Sequence, residues 1–215
     1  MSVLVNQQAP DFTATAVLAD GTIKEGFTLS DLKGKFVVLF FYPLDFTFVC
    51  PSELIAFDHR IKEFASRGVE VLGCSVDSQF THLAWRNTPV NQGGIGKVAY
   101  PLISDLNKKI AADYDVLMNN KTFEDEDGCK FHMLGGDVAL RGSFLIDREG
   151  VVQHQVVNNL PLGRNIDEML RTIDALQFTE EHGEVCPAGW NKGSKGMVPD
   201  GAGVASYLAS EADKL

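Results

Sequence analysis

The sequence predicts an α/β layered fold with a mixed central sheet flanked by helices. Three observations carry this. Short apolar runs rich in β-branched and aromatic residues alternate with stretches of helical period, the pattern of strand–helix–strand units. The strongest run, Phe36-Val37-Val38-Leu39-Phe40-Phe41-Tyr42, carries no charge, as a strand buried within a sheet requires. The runs Ser143–Ile146 and Val151–Val157 are separated only by Asp147-Arg148-Glu149-Gly150, a hairpin signal, so the sheet is not purely parallel.

In chain order, a strand over Phe36–Tyr42 leads to helical periodicity over Leu54–Arg67. A strand over Val69–Val76 and a helix over Gln79–Arg86 follow. Next come a strand at Tyr100–Ile103 and a helix at Asn107–Tyr114, then the hairpin of the two later strands and a helix over Asn165–Leu176. Beyond Gln177 the chain turns polar. The stretch Asn191–Gly203 holds Gly193, Gly196, Gly201 and Gly203, and reads as a mobile arm ending in a short helix near Ala205–Ala209.

The length of 215 residues and 45% hydrophobic content suit one core, with some chain to spare. The expected division is a catalytic domain over residues 1–162 and a C-terminal helix and arm over 163–215. No apolar run reaches membrane-spanning length, and the first residues lack a basic, then apolar, leader pattern. Together these point to a cytoplasmic protein. Nineteen basic against 29 acidic residues give a formal charge of −10, which disfavours nucleic-acid binding. Two loops stand out. Asn91-Gln92-Gly93-Gly94-Ile95-Gly96 lacks the spacing of a phosphate-binding loop. Met118–Gly136 is polar, carries the run Glu124-Asp125-Glu126-Asp127, and holds Cys129.

The chemistry concentrates at Phe48-Val49-Cys50-Pro51-Ser52-Glu53, between the strongest strand and the first helix. Pro51 fits a first helical turn, where its missing N–H costs nothing, and Glu53 adds a carboxylate there. A thiol at a helix N-terminus faces the positive end of the macrodipole, which favours the nucleophilic thiolate. The rival reading is a buried core cysteine. The other cysteines are Cys74, in an apolar strand, Cys129, and Cys186 in the polar tail. No Cys-x-x-Cys occurs, and none of the five histidines, His59, His82, His132, His154 and His182, has ligand spacing to a cysteine. A dithiol motif, a structural zinc site and a Cys-His hydrolase are therefore unsupported. No metal, haem or flavin is expected.

The order Pro43-x-x-x-Thr47-x-x-Cys50 resembles the active-site loop of the peroxiredoxins. Val185-Cys186-Pro187-Ala188-Gly189-Trp190 resembles the resolving-cysteine segment of the typical two-cysteine members, of alkyl hydroperoxide reductase type. Arg141, in Leu140-Arg141-Gly142-Ser143-Phe144, matches the family's active-site arginine. Cys74–Ser78 and His82–Trp85 also read like this family, so the likeness runs from Ala9 to Trp190. It implies a thioredoxin-like fold with an N-terminal extension, which periodicity alone does not separate from a flavodoxin-like one. It also implies that Cys50 attacks hydrogen peroxide or an organic hydroperoxide and becomes a sulfenic acid. Thr47 and Arg141 would polarise the O–O bond, Pro43 would shield the sulfur, and Glu53 would orient Arg141. Cys186 would then form a disulfide with Cys50 of the other subunit of a homodimer, and dimers would join in a ring, commonly a decamer. A thioredoxin-like protein or a flavoprotein disulfide reductase would return the thiols. A holdase chaperone or redox relay on the same ring is the alternative. The loop at Met118–Gly136 is longer than the family pattern.

Overall fold

The computed structural model describes residues 3–118, 122–124, 130–132 and 137–214. Cys129 and most of the loop read from Met118 to Gly136 lie outside them. Two compact units divide at Arg164, Met1–Arg164 and Asn165–Leu215.

The first unit is built on strands β1 (Thr13–Val17), β2 (Ile23–Thr28), β3 (Phe36–Phe41), β4 (Val69–Ser75) and β5 (Leu102–Ser104), and four helices. These helices are α1 (Cys50–His59), α2 (Ile61–Ser66), α3 (Gln79–Asn87) and α4 (Lys109–Asp113). Short strands β6 (Leu117–Met118), β7 (Thr122–Glu124), β8 (Lys130–His132) and β9 (Val138–Ala139) form two small ribbons, β6 with β9 and β7 with β8. The hairpin β10 (Arg141–Ile146) and β11 (Val152–Asn158) completes the unit. Seven strands form one sheet in the order β11-β10-β3-β4-β5-β1-β2. β3, β4 and β5 run parallel, joined by α1 with α2 and by α3; β10 lies antiparallel on β3, and β1 on β5. The sheet is mixed, as the hairpin signal requires.

β3 is buried along its whole length because both of its faces are covered. Val37, Leu39 and Phe41 join Leu72, Cys74, Tyr114 and Phe144 in one core layer. On the opposite side Phe40 stacks on Phe57 of α1 with ring centroids 4.2 Å apart, and Tyr100 meets Phe40 edge-on at 5.8 Å. Burying aromatic side chains contributes a few kcal/mol each. Phe57 thereby fixes α1 against the sheet. With α1 docked, its first residue, Cys50, sits just past the carboxyl end of β3. Functional groups in open α/β sheets gather at that end.

Several boundaries depart from the periodicity. The run Leu54–Arg67 begins four residues earlier, at Cys50, and breaks at Arg60, whose φ of −106° and ψ of 6° separate α1 from α2. The expected helix Asn107–Tyr114 shrinks to Lys109–Asp113, since Lys108 is left-handed (φ 63°) and Asp105 caps the Ile110 and Ala111 N–H groups at 3.0 and 2.7 Å. The strand expected at Tyr100–Ile103 is Leu102–Ser104. Arg141 opens β10 rather than preceding it. The edge hairpin β1–β2 has no clear pattern in sequence: β2 is mostly exposed, and a bulge between Ala14 and Ala16 breaks the alternation.

The second unit opens with α5 (Ile166–His182). Asn165 caps it by accepting from the Asp167 and Glu168 N–H groups, and Gly183 at φ 67° ends it. The helix runs six residues past Leu176. The segment read as a mobile arm folds back: Val185 and Met197 exchange two backbone hydrogen bonds of 2.8 and 3.0 Å, and the Trp190 ring lies 4.9 Å from Phe178. The last helix, α6 (Gly201–Glu211), is longer than the expected piece at Ala205–Ala209 because Asp200 caps it through the Gly203 N–H at 2.6 Å. Among the described residues no helix is long and apolar enough to cross a membrane.

Candidate active site

Cys50 begins α1 and is fully buried. Val49 precedes it without a side-chain cap; Pro51 takes a position where no N–H is needed, and the Ser52 and Glu53 N–H groups turn back to the Val49 carbonyl at 3.1 and 3.4 Å. The loop 42–49 leading to it is irregular. Pro43 is buried at its start, and Phe46 takes a left-handed conformation, φ 53°, uncommon for a bulky residue. Phe48 is 98% exposed beside the buried thiol.

Two donors converge on the sulfur. The Thr47 hydroxyl lies 2.9 Å from Cys50 Sγ and 2.8 Å from the Leu44 carbonyl. It has one hydrogen to give. With a thiol, the S–H can donate to Thr47 while Thr47 donates to Leu44; with a thiolate, the hydroxyl can turn to the sulfur. The Arg141 Nη1 group donates to Sγ at 3.3 Å. The same Nη1 lies 2.5 Å from Glu53 Oε2, and Arg141 Nε donates to the Leu160 carbonyl at 2.7 Å.

Glu53 sits in the first turn of α1, three residues after Cys50, and its buried carboxylate answers two guanidinium groups. Arg164 donates to it through its backbone N at 3.0 Å, Nε at 2.9 Å and Nη2 at 3.1 Å. Arg164 Nη1 also bonds the Gly142 carbonyl at 2.8 Å and Ser143 Oγ at 3.2 Å, and the guanidinium lies 5.1 Å from the Phe40 ring centroid. Arg164 was not legible in the sequence. It follows a polar loop, stands next to Gly163, and belongs to no motif. The structure thus brings Thr47, Cys50, Glu53 and Arg141 together and adds Arg164, with Pro43 at the start of the loop.

Cys186 lies in the second unit, half-buried, and donates to the Ala175 carbonyl of α5 at 3.4 Å. Cys74 is fully buried in β4. Burial, with the Asp105 charge second, pushes its thiol well above the ordinary range, so it stays protonated and inert. Burial also pushes the Tyr42 and Tyr100 phenols well up, the first further by Asp45 and the second by Asp58. Among the described residues no cluster of histidine, cysteine and carboxylate side chains is placed to hold a metal.

The chain is similar to known proteins along nearly its whole length. The pattern of the AhpC/TSA family matches residues 5–155, and that of the C-terminal domain of 1-Cys peroxiredoxin matches residues 175–208, which include Cys186. Alkyl hydroperoxide reductase C of Helicobacter pylori is 53% identical over 214 residues, covering 99% of this chain and 100% of its own. Peroxiredoxin-2 of Mus musculus is 52% identical over 196 residues, 91% of this chain and 90% of its own. The reduced 2-Cys peroxiredoxin of Plasmodium vivax superimposes with a TM-score of 0.87 at 48% identity, covering 97% of this chain and 100% of that one.

Proposed function

The chain belongs to the AhpC/TSA family, and we propose that Cys50 is its peroxide-reactive thiol and Cys186 its resolving thiol. It is a thiol peroxidase on a thioredoxin-like fold. The observation that carries the residue assignment is the Cys50 sulfur at the start of α1, with the Thr47 hydroxyl and the Arg141 guanidinium both within 3.3 Å.

The Cys50 thiolate attacks one oxygen of the hydroperoxide. The S–O bond forms as the O–O bond breaks, and the leaving oxygen takes a proton to depart as water or an alcohol. Ionisation alone supplies little: a thiol of ordinary acidity is a few per cent thiolate at neutral pH, so complete ionisation gains at most roughly 30-fold. A lower pKa also reduces intrinsic nucleophilicity. The larger contribution comes from donors aimed where charge develops, each worth about 3–4 kcal/mol in well-ordered sites. Arg141 fits this role because Glu53 and the Leu160 carbonyl hold it in place. Glu53 is held in turn by Arg164. Pro43 stiffens the start of the loop and offers no N–H. The Cys50 sulfenic acid then condenses with the Cys186 thiol, releasing water and forming a disulfide.

The division of labour follows: residues 1–162 hold the peroxide chemistry, and 163–215 carry the second thiol. A thioredoxin-like or flavoprotein dithiol reductase returns the disulfide to two thiols. The disulfide joins two subunits of a homodimer, and dimers assemble into a ring, a decamer in the commonest case. β11 supports the pairing: beyond Val152, which bonds Asn6 and Gln7, it is an edge strand with Val156 partly exposed, and open strand edges invite a partner. The protein works in the cytoplasm. A holdase or relay role as the primary activity is not favoured, because relatives similar along the whole chain carry peroxidase names. Peroxide consumption with a thioredoxin system tests the assignment. Cys50→Ser abolishes turnover, and Cys186→Ser consumes one peroxide per subunit and stops. Turnover surviving in Cys50→Ser overturns it.

A further inference from the structure

Behind the active-site loop lies a buried polar cluster that the peroxide chemistry does not use. Asp45, in that loop, is buried, as are Tyr42 and His82. Asp45 Oδ1 accepts from the Tyr42 hydroxyl at 2.8 Å, and Oδ2 lies 2.7 Å from His82 Nδ1. The Asp45 backbone N–H donates to Asp77 Oδ2 at 2.8 Å, and Ser75 Oγ donates to the same oxygen at 3.0 Å. His82 Nε2 lies 3.2 Å from the Ile103 carbonyl of β5. A carbonyl can only accept, so Nε2 carries a hydrogen. The short Nδ1–Oδ2 contact also needs a proton between its atoms, because two lone pairs at 2.7 Å would repel. The Asp45–His82 pair therefore holds two protons between the ring and the carboxyl group.

The geometry points to Asp45, clamped by His82, Tyr42 and Asp77, as a positioning residue for the peroxide step. Three features of the loop support it. The next residue, Phe46, sits at φ 53°, a conformation that persists only where the surroundings impose it. Its ring lies 5.8 Å from Trp85, one turn after His82 on α3, so the same helix grips the loop twice. One residue further is Thr47, whose hydroxyl reaches Cys50 Sγ and the Leu44 carbonyl, the carbonyl immediately before Asp45. The side chain of Asp45 thus ties the segment that aims Thr47 to α3 and, through His82, to β5, while its backbone N–H ties it through Asp77 to Ser75 of β4. Burying a carboxylate and an imidazole is costly unless both are fully satisfied, as here. A loop that only had to connect β3 to α1 would not require them.

This rests on Cys50 being the peroxide-reactive thiol, and the test separates the two. In reduced protein, the second-order rate of Cys50 oxidation by hydrogen peroxide is measured beside the rate of its alkylation by iodoacetamide, with thermal unfolding as the check on folding. Alkylation needs a reactive thiolate but no alignment of an O–O bond. Asp45→Ala lowers the peroxide rate roughly tenfold or more, since small misplacements of catalytic groups cost that much. Its alkylation rate stays near wild type or rises. Asp45→Asn restores the peroxide rate, because its amide can accept from Tyr42 and donate to a neutral His82. A role confined to stability shifts the unfolding temperature and leaves the ratio of the two rates unchanged, which overturns the proposal. So does a failure of Asn to rescue. If Asp45→Ala does not fold, Asp77→Ala, at a half-buried position, carries the test: it removes the acceptor of the Asp45 N–H and produces the same selective loss, and an unchanged ratio there overturns the idea. Cys50→Ser is the control for the premise. Peroxide reactivity surviving in that variant rejects the site assignment, whatever Asp45 does.

Discussion

Arg141→Met separates transition-state stabilisation from ionisation at this site. Methionine keeps the length and apolar bulk of the arginine stem. It removes the donor 3.3 Å from Cys50 Sγ, the bond to the Leu160 carbonyl and one of the two partners of Glu53. Glu53 is not stranded, because Arg164 still meets it through three N–H groups at 2.9 to 3.1 Å. The fold should therefore lose only about 1–2 kcal/mol, the scale of one backbone carbonyl left without its donor. The peroxide step should lose far more. Removing one preorganised donor costs about 10²–10³ in rate. A return to ordinary thiol acidity accounts for only about 30-fold of that, and any larger loss of thiolate shows in the alkylation rate. Stopped-flow oxidation by hydrogen peroxide, run across pH beside iodoacetamide alkylation of Cys50, reads both quantities. The alkylation rate reports the thiolate, and the excess loss in the peroxide rate reports the lost donor. If the two rates fall in step at every pH, Arg141 acts only through the thiolate and the transition-state argument is wrong. Arg164→Met is the contrast. It leaves the Arg141–Glu53 pair and touches no atom of Cys50, so its peroxide rate should fall less.

Three further outcomes follow. Glu53→Gln leaves two buried guanidinium groups without their carboxylate, and should cost about 3–5 kcal/mol of stability, read by urea unfolding; a loss below that of Arg141→Met would show that Arg164 does not depend on Glu53. Asp77→Asn should stabilise the protein at neutral pH and not in acid. Burial, and then the Asp45 charge, raise the Asp77 carboxyl above its usual range, so the folded state holds this proton more tightly than the unfolded chain. The stability it confers is present at low pH and lost as pH rises through the folded value. Equal shifts of the unfolding temperature at neutral pH and below the ordinary carboxyl range would contradict this. Cys74 should escape iodoacetamide in native reduced protein and react only after unfolding, as mass spectrometry of the labelled peptide would show.

What the sequence made legible follows from local physics. β3 read clearly because a strand buried on both faces is apolar throughout, β4 because it is apolar apart from Glu70 and Ser75, and α3 through its helical period. The break at Arg60 and the shortening of α4 were not readable, whereas Pro51 marked the start of α1 ahead of the apolar period. The shortening of α4 depends on a contact outside the helix, the Asp105 carboxylate reaching two of its N–H groups. The hairpin β1–β2 escaped because an exposed edge strand with a bulge has no strict alternation to detect.

The site divides along the same line. Pro43, Thr47, Cys50 and Glu53 lie within eleven consecutive residues, so one loop and one helical turn fix their relations, and a spacing pattern can record that. Arg141 reaches Cys50 from 91 residues away. Periodicity could place it only near a strand, and its link to the thiol came through likeness to a family. Arg164 reaches Glu53 across 111 residues, and His82 reaches Asp45 across 37. Nothing local marks Arg164, and His82 stood out only as part of the family-like stretch His82–Trp85. Otherwise it read as an ordinary residue on a helix, because its ring serves another carboxylate rather than a cysteine or a metal. Of the two residues that touch sulfur, Thr47 is written close to Cys50 on the chain, while Arg141 and the groups that steady the site, Arg164 and His82, arrive from distant segments. A perturbation of the distant group should therefore reach the chemistry through alignment first and thiolate content second, which is the order that the paired peroxide and alkylation rates of Arg141→Met and Asp45→Ala can resolve.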